Sequence, residues 1–232
     1  MWNGKMKAVT FSFDDGVTQD IRLIRIFNKF SLKCTFNINS ELLGLNGEIV
    51  REGERVSHNK IRPEEVRKVY SSHEVAAHTL THPNLAELTD ESEILRQVTE
   101  DKKNLSALSG QNVVGMAYPG GGVNYTPEVA ELLKRNNTVS YARTTVATYN
   151  FSLPKNLFTL HPTVHMIETE KLFALADEFL AADPQEPMLF YIWGHSYEFD
   201  IHNTWDTAER FCEKIAGHSD IFYGTNAEIL LK

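Results

Sequence analysis

Short apolar runs of strand length recur along this chain with helical patterns between them, and that alternation leaves few folds open. The runs are Lys7 to Phe13, Cys34 to Ile38, Glu74 to His78, Val113 to Tyr118, Ser140 to Thr145, Phe158 to Pro162, Met188 to Trp193 and Ile221 to Tyr223. Helical spacing is clearest over Gln19 to Phe30, Asp90 to Leu108, Pro127 to Arg135, Thr169 to Ala182 and Thr204 to Ala216. In the last of these, Trp205, Ala208, Phe211, Cys212 and Ile215 fall on one side and predict a buried stripe. Strand and helix in turn imply an α/β fold, a mainly parallel sheet with helices outside, either open or closed as a barrel. With 232 residues, 42% of them hydrophobic, the chain can bury such a core as one domain over 1–232.

Enzymes of this architecture collect their chemistry where strands end. Asp14, His78, Pro119 and His195 all fall at or just after the ends of different predicted strands. In the first run, Val9, Phe11 and Phe13 alternate with Ala8, Thr10, Ser12 and then Asp14, so Asp14 continues the small, inward row. Strict alternation sends Asp15 the other way, but Gly16 can take backbone angles that let the chain bend and bring both carboxylates into one site. Two carboxylates that close repel, and a cation held by one of them removes the conflict. His78 and His82, four residues apart, share one side of a single helical turn, which Pro83 then ends. Two His and one Asp make a three-ligand site with open positions, the form of a catalytic metal centre; Zn2+ is the default ion, with Co2+ or Ni2+ as alternatives. His195, after the very apolar run Met188 to Trp193, is placed to protonate a leaving group.

Composition narrows the partners. With 23 basic and 31 acidic residues the formal charge is -8, which argues against nucleic acid or an anionic membrane surface and suits a neutral substrate. Cys34 and Cys212 are too few for a disulfide framework, and Cys34 sits in a strand-like run as a buried thiol. Met1 to Lys7 reaches the first strand with no apolar leader, and no stretch approaches the ~20 apolar residues of a membrane span, so a cytoplasmic location is expected, although a trimmed secreted chain reads the same. Leu43 to Arg62 is a polar stretch that is either a binding flap or an insertion with its own hairpin.

Taken as a set, these motifs resemble the polysaccharide deacetylases of carbohydrate esterase family 4, the NodB-homology domains. Thr10-Phe11-Ser12-Phe13-Asp14-Asp15-Gly16 looks like the first motif, His78-Thr79-Leu80-Thr81-His82 like the second and Trp193-Gly194-His195 like the last, in matching order from Thr10 to His195. The resemblance implies a distorted (β/α) barrel of about seven strands and deacetylation of an N- or O-acetylated carbohydrate. It also implies Asp15, His78 and His82 as metal ligands, Asp14 as catalytic base and His195 as catalytic acid. A backbone N–H near Tyr118, in the segment Tyr118-Pro119-Gly120, is expected to hold the oxyanion.

The sequence departs from that family at three points. Ala117 stands where the third motif commonly has an arginine that orients the base; Arg143, at the end of another predicted strand, either approaches Asp14 from a different side or is a structural arginine. The fourth motif is not recognisable, and Trp193 replaces a leucine, so the acetyl pocket is built differently. Of the pair His161 and His165, His161 is the better substrate contact or partner of His195. Glu198 and Asp200 either orient His195 or belong to a solvated loop, and His58, His73, His202 and His218 read as solvated. A metal-dependent amidohydrolase acting on a small non-sugar amide, or an inactive carbohydrate-binding relative, are the alternatives. The oligomeric state is not legible.

Overall fold

In the computed structural model, which describes residues 1–231, one strand organises the rest: β1 (Lys7–Asp14) is buried along its whole length and touches three neighbours. The elements that follow are α1 (Asp20–Lys29), β2 (Cys34–Ile38), β3 (Glu48–Arg51), β4 (Glu54–Ser57), α2 (Val66–Val69), β5 (Glu74–Ala77), α3 (Glu91–Ser109), β6 (Gly115–Ala117) and α4 (Pro127–Arg135). Then come β7 (Tyr141–Arg143), β8 (Val164–His165), α5 (Thr169–Ala181), β9 (Met188–Gly194), α6 (Glu198–Ile201), α7 (Trp205–Ile215), β10 (Ile221–Tyr223) and α8 (Asn226–Leu230). The main sheet runs β7-β6-β5-β2-β1-β9-β8, with β10 beside the first half of β1, and every pairing in it is parallel.

The sheet curls into a distorted (β/α) barrel whose two ends meet in one segment. Leu160 donates its N–H to Ala142 and accepts from Thr144, beside β7, while Thr163 and Met166 donate to Tyr191 and Trp193 of β9. The sequence places a strand at Phe158 to Pro162. Instead, Leu157–Thr159 is a 3-10 turn and the strand is Val164–His165, because Pro162 lacks the N–H a ladder needs. This shift exchanges the histidine that reaches the strand end.

Both faces of β1 are covered, for different reasons. Phe11 and Phe13 point outward and pack on Phe27 of α1 with ring centroids 4.8 and 5.9 Å apart, and Phe11 also meets Phe211 of α7. The inward row is small and polar: Thr10 donates to Asn226, and Asn37 Nδ2 donates to Ser12 Oγ. The stripe expected on α7 is buried as read. Cys34 and Cys212 are both buried free thiols, and burial raises the Cys34 thiol well above its usual range. Among the described residues no helix is long and apolar enough to cross a membrane.

Leu43 to Arg62 contains the hairpin β3–β4, antiparallel and separate from the main sheet. Its return strand leads to Lys60, which bridges Val17 just past the end of β1. The insertion therefore sits over the carboxyl ends of the strands.

Candidate active site

At the end of β1 the chain turns sharply. Asp15 has φ +84° and Gly16 φ +61°, and a Cβ on Gly16 would stand 1.8 Å from Ile38 Cγ2. Only glycine permits that approach. The turn brings Asp14 and Asp15 into one pocket of about 220 Å³ with His78, His82, Trp193 and His195.

Asp14 and Asp15 have different surroundings. Asp14 Oδ1 accepts from Asn37 Nδ2 at 2.8 Å, and its Oδ2 is paired with the fully buried Arg143, which lies over the Trp193 ring at 4.6 Å. Burial pushes the Asp14 carboxyl up, but Arg143 and the nearby imidazoles outweigh it and hold the group below its usual range. Arg143 thus approaches the carboxylate from β7, not from the position of Ala117. Asp15 Oδ1 stands 3.8 Å from His78 Nε2 and 3.5 Å from His82 Nε2. Its Oδ2 lies 3.2 Å from His58 Nε2, and Lys60 Nζ donates to its carbonyl at 2.8 Å. Against burial, His58 and Lys60 hold the Asp15 carboxyl well below the usual range.

His78-Thr79-Leu80-Thr81-His82 is not a helical turn. Thr79 (φ +67°) and His82 (φ +62°) coil it into a loop, which still sets the two imidazoles 4.9 Å apart, edge to face. The loop is held from α3: the His78 N–H donates to Asp101, and Gln97 and Thr81 bond in both directions. His78 Nδ1 is 2.9 Å from the Ala117 carbonyl, so that nitrogen carries the proton and Nε2 presents a lone pair. Burial lowers His78 to about 4, keeping it in the neutral form that binds metals. Donor atoms of Asp15, His78 and His82 all lie within 4.8 Å of one another, a set that fits a divalent ion such as Zn2+, Co2+ or Ni2+.

On the opposite wall, His195 Nε2 is 4.0 Å from Asp14 Oδ2, and its Nδ1 is 3.2 Å from Glu198 Oε1. Burial disfavours a charged imidazole, but Glu198, Asp15 and Asp14 reverse this and push His195 up to about 9. Glu198 Oε2 accepts the His195 N–H and stands 3.3 Å from His165 Nε2, so Glu198 is part of the pocket wall rather than a solvated loop.

Several expectations fail on local grounds. The Tyr118 N–H is spent in the sheet, donating to Arg143 O, and its hydroxyl donates to Phe158 O, so Tyr118 offers nothing to a ligand. Gly120 and Gly121 line the pocket instead, with N–H groups that donate to no protein acceptor among the described residues; Pro119 precedes them without lining it. His161 does not line the pocket: its Nδ1 is 2.6 Å from Thr144 Oγ1, and His165, at the end of β8, takes the place beside His195. His58 is a half-buried neighbour of Asp15, and His73 is buried against Phe27 and Phe36 rather than solvated. Arg51, on the hairpin, reaches the pocket mouth.

This barrel with an Asp-His-His donor set, an acidic pair and a buried histidine defines a class of hydrolase, and comparison with known proteins agrees. A family model described as polysaccharide deacetylase matches residues 3–139. The chain belongs to the polysaccharide deacetylase family. The matched span ends before Arg143 and His195. No curated protein matches the chain by sequence. Among solved structures it is similar to Puue allantoinase (13% identity, TM-score 0.70, covering 98% of this chain and 90% of that one). It is also similar to a family 4 acetyl xylan esterase from Clostridium thermocellum in complex with a cobalt ion (14%, TM-score 0.60, covering 97% and 91%). A third is a CE4 family pseudoenzyme from Bacillus anthracis (17%, TM-score 0.56), where 99% of this chain spans 66% of that one.

Proposed function

We propose that this protein is a metal-dependent hydrolase that removes acetyl groups from an N- or O-acetylated sugar, oligosaccharide or polysaccharide. The observation that carries the reading is the convergence of Asp14, Asp15, His78, His82 and His195 on one pocket from three different strand ends. Asp15, His78 and His82 would hold a divalent ion, most simply Zn2+, which when bound polarises a carbonyl and makes water acidic enough to act near neutral pH. The cobalt complex of the similar acetyl xylan esterase supports such a donor set here.

The remaining steps belong to the chain's own groups. Asp14, kept ionised by Arg143, takes the proton from the attacking water. The N–H groups of Gly120 and Gly121, without a protein acceptor among the described residues, are the donors available to the developing oxyanion, the part expected of Tyr118. His195, charged near neutral pH through Glu198, gives a proton to the departing sugar amine or alcohol. Trp193, seated between Arg143 and His165, forms the wall against the acetyl methyl.

A second reading keeps these roles and changes the bond: an amidohydrolase for a small non-sugar amide, supported by the likeness to an allantoinase. Acetate release from N-acetylated chitooligosaccharides and from acetyl xylan, measured beside ammonia or acid release from a panel of cyclic and linear amides, separates the two. Acetate from either glycan is expected. Turnover of the amides alone moves the assignment to the second reading, and turnover of neither makes the chain an inactive relative like the pseudoenzyme.

A further inference from the structure

The pocket holds a second set of donor atoms that the proposed reaction does not use as such. His165, His195 and Glu198 each place one donor within 4.8 Å of the others. The two imidazoles flank one carboxylate: His195 Nδ1 is 3.2 Å from Oε1 and His165 Nε2 is 3.3 Å from Oε2. Donors about a four-coordinate zinc, at bond lengths of ~2.0–2.2 Å, stand about 3.3 Å from one another. The His195 Nδ1–Glu198 Oε1 contact is close but lacks hydrogen-bond geometry, so a divalent ion would take the place of the proton in this pair.

The elements that carry these residues are fixed independently of any ligand. β8 places His165 through its pairing with Trp193, and the His165 ring packs against Trp193 at 4.3 Å. Glu198 opens α6 and is anchored by the His195 N–H on Oε2, which leaves Oε1 facing the pocket. Among the described residues Arg51 is the one other charged side chain paired with this oxygen, at 4.0 Å, and it is half exposed, so it can swing away toward solvent. We propose that His165, His195 and Glu198 form a second divalent-metal site, distinct from Asp15, His78 and His82, whose occupation removes His195 from proton transfer and inhibits the enzyme at high metal concentration. The inhibition rests on the role given to His195 above; the site itself does not.

The test is zinc stoichiometry by equilibrium dialysis of the chelator-stripped protein, for the wild type, His165→Asn and Asp15→Asn, with circular dichroism to check each fold. Two zinc ions per chain are expected for the wild type and one for each variant. His165→Asn is also expected to lose the inhibition at excess zinc, read within each protein as the ratio of its rate at excess zinc to its rate at one equivalent. Should His165→Asn fail to fold, Glu198→Gln serves for the count. A wild type that binds one ion, retained in His165→Asn, overturns the proposal, as does a His165→Asn protein that still binds two. One ion lost in His165→Asn but kept in Asp15→Asn upholds this second site and counts instead against the metal site of the proposed function.

Discussion

Arg143 and Asp14, 129 residues apart in the chain, form an ion pair that is closed to solvent on both sides. Breaking a buried pair by removing one partner strands a charge and costs about 3–5 kcal/mol. Arg143→Met should therefore lower unfolding free energy by about that amount in urea titration, and Asp14→Asn combined with Arg143→Met should recover part of the loss. Equal stability of wild type and Arg143→Met would show that the guanidinium does not support the carboxylate.

The two neighbouring aspartates should separate cleanly by measurement. Asp14→Asn is expected to keep its metal content and lose roughly 10²- to 10⁴-fold in rate, the usual contribution of a proton-transfer group. Asp15→Asn should lose metal affinity first, read by dialysis against a zinc buffer. The opposite pattern would exchange their roles.

Activity should fall as pH rises through about 9, where His195 loses its proton. His195 faces Asp14, Asp15, His165 and Glu198, and Glu198 gives the largest upward push against burial. Removing that charge leaves burial less opposed, so Glu198→Gln should move the alkaline limb of the kcat/KM profile downward by about 1–3 units. An unmoved limb would mean that another group sets it.

Gly16→Ala tests the turn that joins the two carboxylates. The added methyl collides with Ile38 at a positive φ, so overpacking and backbone strain together should cost about 2–4 kcal/mol in thermal unfolding. A variant as stable as wild type would show that the turn can relax without loss.

Much of this site is legible in the sequence because its parts lie at the ends of buried strands. Asp14 ends β1, His78 and His195 follow β5 and β9, and Arg143 is visible at the end of β7. The misses share a cause in long-range packing. β8 is only two residues long and exists because its neighbours on both sides of the curled sheet hold segment 160–166, so the sequence pattern favours His161 over His165. His58 and Lys60 lie in a polar insertion, and only the bridge from Lys60 to Val17 turns them toward Asp15. The Tyr118 N–H fails as an oxyanion donor because β7 claims it, a pairing that register alone decides.

The central claim is that Asp15, His78 and His82 hold one divalent ion beside Asp14, and an anomalous difference map at the zinc edge from a crystal loaded with one equivalent tests it most directly. A peak ~2.0–2.2 Å from the Asp15 carboxylate and from Nε2 of both histidines is the expected result. No peak at that position, with zinc bound elsewhere in the chain or not at all, would contradict it.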